Sequence, residues 1–92
     1  MKHLQKMQLI MALVAAINEA GIAEMVCHLS GYRNGNSSLN VYGWDPAPGE
    51  KYTTENKIYD KDAFLPSEEA PEQLATIISD LQGMLTNAEA AA

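Results

Sequence analysis

At Gly21 the spacing of the apolar residues changes, and the change restricts the chain to a mixed fold. Before it, Leu4, Met7, Ile10, Met11, Val14 and Ile17 recur at steps of three and four, with Gln5, Gln8, Ala12, Ala16 and Glu19 on the other side. That is the period of an amphipathic helix, expected over residues 2–20. Gly21 is placed to stop it in the left-handed conformation. Beyond Gly21, Ala23, Met25, Cys27 and Leu29 alternate with Glu24, His28 and Ser30. A period of two belongs to a strand with one buried face, expected over about 22–30.

Tyr32-Arg33-Asn34-Gly35-Asn36-Ser37 is dense in turn formers, and Asn34-Gly35 favours a tight turn with positive φ. A returning strand is expected over about 38–44, with Leu39 and Val41 toward the core. Asp45-Pro46-Ala47-Pro48-Gly49 cannot be regular structure, because two prolines fix φ and remove donors. The Thr- and Tyr-rich stretch 52–59 reads as a third strand, paired with the second as a meander. Leu74, Ile77, Ile78, Leu81 and Leu85 then form a stripe that predicts a helix over about 71–88, with Pro71 in its first turn and Ala88–Ala92 fraying. Gly83 inside it suggests a close approach to a neighbouring element.

The expected fold is therefore α+β: one two-layer domain over residues 1–92, ordered helix, three-stranded antiparallel sheet, helix. Ninety-two residues bury only enough surface for one small core. Lys2 and Lys6 ahead of the Leu9–Ile17 run have the outline of a secretory leader. The helical period and the Gly21 stop favour a packing helix, and the run is too short to span a bilayer. A cytoplasmic protein without a membrane association is expected; the single cysteine accords with a reducing compartment.

Two helices can cover one face of three strands. The other face should present Glu24, Val26, His28, Asn40, Tyr42 and Trp44, with Lys57 and Tyr59. Aromatic residues with polar tips anchor protein interfaces, so Tyr42 and Trp44 are candidate partner-binding residues. The plainer reading is cross-strand pairing that only stabilises the sheet.

Charge is divided unequally. Residues 1–44 carry a net +1 and residues 45–92 a net −7, and no basic residue follows Lys61. Asp60, Asp62, Glu68, Glu69 and Glu72 form a block that would attract a basic partner, unless it is simply a solvated face. The overall −6 argues against direct binding of duplex DNA through phosphate neutralisation. Arg33 is the only arginine, and with Asn34 and Asn36 at a hairpin tip it is a candidate for contact with RNA or a polar protein groove.

Catalytic patterns are missing from the sequence. Cys27 and His28 are adjacent on a strand and point to opposite faces, so no zinc site is expected. Cys27 falls in the apolar set and reads as a buried core thiol. Asp60 and Asp62 start like a calcium loop, but the glycine fails and Pro71 stands where the bidentate glutamate belongs. No phosphate-binding glycine loop or nucleophile elbow occurs. No enzyme activity, cofactor or metal is expected.

The Met7–Ala20 helix, the Ala23–Trp44 hairpin and the acidic Asp60–Glu72 stretch in a lone acidic domain resemble the small phage proteins directed against host defences. The likeness is greatest to anti-CRISPR proteins, in particular the small inhibitors of type I-F surveillance complexes. It is a likeness of organisation and assigns no residue a role. It implies a non-catalytic inhibitor of a crRNA-guided ribonucleoprotein, contact with crRNA, and a block on target DNA binding. The alternative is a small structural or accessory subunit of a larger phage assembly.

Overall fold

A computed structural model describes residues 3–91. The elements run α1 (Leu4–Glu19), β1 (Glu24–Gly31), β2 (Ser37–Trp44), β3 (Lys57–Phe64) and α2 (Ala70–Ala91). The strands form one antiparallel sheet in the order β1-β2-β3. This is the expected α+β arrangement, with the third strand joined to the second as a meander. Both helices lie on the same side of the sheet and pack on each other, α1 over β1 and α2 over β3.

The end of α1 follows from its residues. Gly21 takes φ 69°, donates to the Asn18 carbonyl at 3.1 Å, and lets Ile22 donate to the Ile17 carbonyl at 3.2 Å. These are the paired bonds of a Schellman stop, with an apolar residue following the glycine. At the other end His3 is the N-cap, and Lys2, included in the expected helix, lies outside the described residues. β1 starts at Glu24 rather than 22 because Gly21 and Ile22 belong to this stop. The following turn closes with the Gly35 N–H on the Tyr32 carbonyl, and Gly35 at φ 87° supplies the positive φ.

The core consists of Met7, Ile10, Val14 and Ile17 from α1, Met25, Leu39, Val41 and Ala63 from the sheet, with Ala23 beside it, and Leu74, Ile77 and Leu81 from α2. Two of the residues assigned to the buried stripe of α1 are not in it. Leu4 and Met11 are exposed, because they sit about a quarter turn from the line through Ile10 and Val14. Gly43 permits a close crossing that its position in an alternating strand did not announce. A Cβ there would collide with the Met25 sulfur and lie 2.7 Å from the Glu24 carbonyl oxygen. Gly83 has no such role: a Cβ there meets nothing within 4 Å.

The third strand corrects the sequence reading. It occupies 57–64, not 52–59. Asn56 ties the preceding segment into a loop: its Nδ2 donates to the Lys51 carbonyl at 2.8 Å and its Oδ1 accepts from the Thr53 N–H at 3.0 Å. Pairing with β2 then places small, fully buried Ala63 opposite Leu39 under the helices. Tyr59 consequently faces the helices instead of the open side. Its hydroxyl donates to Asp80 of α2 at 2.6 Å. The final helix continues to Ala91, three residues past the expected stop, through the alanines read as frayed.

Candidate interaction surface

Three groups of candidate residues occupy different parts of the surface. The acidic residues gather about β3 and the start of α2. In β3, Asp60 and Asp62 are two residues apart and share the open face. Asn40 of β2 donates its amide to both carboxylates, at 3.0 Å in the case of Asp60. Lys57 Nζ lies 2.7 Å from Asp60. These hydrogen bonds, from Lys57 first and Asn40 second, hold the Asp60 carboxyl below its ordinary value.

A cleft of about 360 Å³ between β3 and α2 brings Asp62 together with Glu69 and Glu72, beside Lys61, Gln73 and Thr76. Lys61 is engaged with Asp80 at 3.1 Å. Among the described residues the ion pairs are Lys57–Asp60 and Lys61–Asp80. Asp62, Glu69 and Glu72 thus border one cleft with no ion-pair partner. Glu68 is separate, lining a different hollow with Leu65, Pro66 and Pro71. The linear acidic block is therefore divided in space. Moving the strand by five residues is what brings Asp62 to the border of this cleft, with its side chain on the open face beside Asn40.

Tyr42 and Trp44 share the open face, at the end of the sheet away from the hairpin tip. The rings meet edge to face, with centroids 5.4 Å apart. Tyr52, expected in a strand, instead belongs to the loop and stacks on Trp44 at 5.1 Å, with its hydroxyl donating to Glu24. Lys57 lies 5.3 Å from the Tyr42 centroid and 5.7 Å from that of Trp44. Much of the aromatic surface is thereby engaged within the chain. The Asp45–Pro48 segment gave no signal that Tyr52 would return over Trp44.

At the hairpin tip Arg33 is exposed and has no ion pair among the described residues. Asn34 accepts the Asn36 N–H at 3.1 Å, so its side chain helps to build the turn. The tip and the start of α2 share one end of the sheet, because Leu65 donates to the Ser37 carbonyl just beyond the turn.

Cys27 is half-buried against the core rather than fully enclosed, and burial raises its thiol pKa. The thiol form therefore dominates at neutral pH, which disfavours nucleophilic chemistry. Among the described residues no group of three or more His, Cys, Asp or Glu side chains could hold a metal ion, and no helix is long and apolar enough to cross a membrane. Comparison with known proteins finds no matching family model, no matching curated protein and no matching solved structure.

Proposed function

We propose that this is a non-catalytic inhibitor of the anti-CRISPR type, which occupies a basic surface of a crRNA-guided surveillance complex and keeps target DNA from it. The observation that carries the reading is the cleft between β3 and α2, which Asp62, Glu69 and Glu72 border without an ion-pair partner among the described residues, its one lysine, Lys61, being held by Asp80. A channel built to hold DNA must present lysine and arginine to phosphates. Carboxylates held on a strand and a helix can meet such cations with little further ordering. Asn40 supports the same surface by fixing Asp60 and Asp62 in place.

The test is target-DNA binding by a purified type I-F surveillance complex with and without the protein. Inhibition that weakens as salt rises is expected, since exposed charge pairs are screened beyond about 8–10 Å. Glu69→Lys with Glu72→Lys should slow association more than it speeds dissociation, because long-range charge acts on the encounter. Thermal melting must accompany it, since Glu72 lies in the first turn of α2 and Glu69 immediately precedes the helix, where negative charge contributes roughly 0.3–1 kcal/mol each. Undiminished DNA binding at saturating protein would refute the proposal, and co-purification with virion proteins would move the protein to the structural class.

A further inference from the structure

We infer that the outer edge of β1, with the flank of α1 above it, is the contact between two copies of this chain. β1 is an edge strand. The Tyr32 N–H donates to the Asn36 carbonyl, so Tyr32 turns its backbone toward β2, and by alternation Ser30, His28 and Val26 do the same. Met25, Cys27, Leu29 and Gly31 turn theirs outward. Asn18 of α1 satisfies Met25 on both sides, accepting its N–H at 2.7 Å and donating to its carbonyl at 2.9 Å. The outward groups of Cys27, Leu29 and Gly31 find no partner among the described residues. A strand edge of this kind is a template for another strand. The opposite edge, β3, is guarded by Asp60 and Asp62 instead.

On the helix side the side chains along β1, Met25, Cys27 and Leu29, are apolar, while Glu24, His28 and Ser30 lie on the open face. Leu29 is 49% exposed although it points to the helix side. Leu4, Met11 and Asn18 are seven residues apart and share one stripe of α1. Since Asn18 meets the outer backbone of β1, that stripe follows the edge, and on it Leu4 and Met11 are 44% and 52% exposed. A stable contact needs roughly 600 Å² per partner, about a tenth of the 6101 Å² accessible surface.

The edge is complementary to itself, which selects a second copy as the occupant. Antiparallel pairing about Leu29 sets Cys27 opposite the second copy's Gly31, and Leu29 opposite its own counterpart. On the open face it sets Val26 opposite Tyr32, both exposed in the single chain. Asn18 ends the ladder at Met25, which this register sets opposite Arg33 of the second copy, so that the long Arg33 side chain, in the turn just beyond the strand, reaches toward the adjacent Glu24 once at each end. The only arginine thus gains a carboxylate partner, and the acidic residues of β3 and α2 stay two strands away. This contact does not depend on the inhibitor reading, because it uses none of the residues of the acidic cleft.

Sedimentation velocity from low micromolar to millimolar protein tests it, with circular dichroism on every variant. The wild-type mass should rise toward twice the 10.0 kDa of one chain. Leu29→Lys, which places two cations together at the two-fold axis, should stay monomeric. Phe64→Lys on the far edge should dimerise like the wild type. Glu24→Arg and Arg33→Glu should each weaken the dimer about tenfold or more, and the double exchange should restore it. These two exposed sites decide the matter should Leu29→Lys fail to fold. A wild type that remains monomeric at millimolar concentration, a folded Leu29→Lys that still dimerises, or charge exchanges without effect would each overturn the inference.

Discussion

On the helix side of the sheet, Leu39, Val41 and Ala63 are no more than 2% exposed, whereas across the same strands Asn40, Tyr42 and Asp60 are partly or fully accessible to solvent. The covered face is held by burial of apolar area. Its polar contacts lie at the margin, where Asn18 meets Met25 and Tyr59 meets Asp80. The open face is held by directional contacts: Asn40 on two carboxylates, Lys57 over Tyr42 and Trp44, and Tyr52 stacked on Trp44. Burial is worth about 25 cal/mol per Å² of apolar surface, while exposed ion pairs contribute about 0–1 kcal/mol. Stability should therefore reside on one face, which leaves the other free to vary its chemistry without losing the fold.

The largest break in that contrast comes from the covered face. Leu74→Ala removes a fully buried side chain of α2 and should cost about 2–5 kcal/mol in chemical denaturation. By comparison, Lys57→Ala on the open face should change the same measurement by no more than about 1 kcal/mol. A cost for Lys57→Ala approaching that of Leu74→Ala would erase the distinction between the faces.

Asn18→Ala tests the margin. It takes away two hydrogen bonds to the Met25 backbone and leaves polar groups near the core short of partners, at a cost of about 1–3 kcal/mol. Hydrogen exchange should report faster protection loss at Met25 than at Leu39, whose position in the central strand is unaffected.

The smallest effect is one of pH. The hydrogen bond from Tyr59 is the main influence holding Asp80 below its ordinary value of 3.8, with Lys61 adding to it against partial desolvation. A carboxyl depressed in the folded state stabilises the fold above its unfolded pKa, and that contribution is lost as pH falls through the folded value. Acid titration of stability should therefore steepen below about pH 4, and Asp80→Asn should flatten that part of the curve. Tyr59→Phe should reduce the slope as well, at a cost of about 1 kcal/mol at neutral pH.

Both helices, the β1–β2 hairpin and the α+β class were legible because each is encoded by neighbours in the chain. Period 3.6 gives way to period 2 at Gly21, Asn34-Gly35 closes a turn, and the Leu74–Leu85 stripe needs no distant partner to be recognised. The acidic bias of the second half could likewise be counted directly. Several features, by contrast, depend on residues far apart in sequence. The Thr- and Tyr-rich stretch 52–59 alternates about as well as 57–64, so local pattern could not choose between them. Pairing with β2 chose, because it places Ala63 under the helices and lets Asn56 tie off the loop. That choice sent Tyr59 to Asp80, brought Tyr52 over Trp44, and set Asp62 across a cleft from Glu69 and Glu72. Which residues form helices and hairpins was determined by the sequence alone. Which side chains meet was decided by the tertiary structure, because strand register is settled by long-range pairing and burial, which no short window of sequence contains.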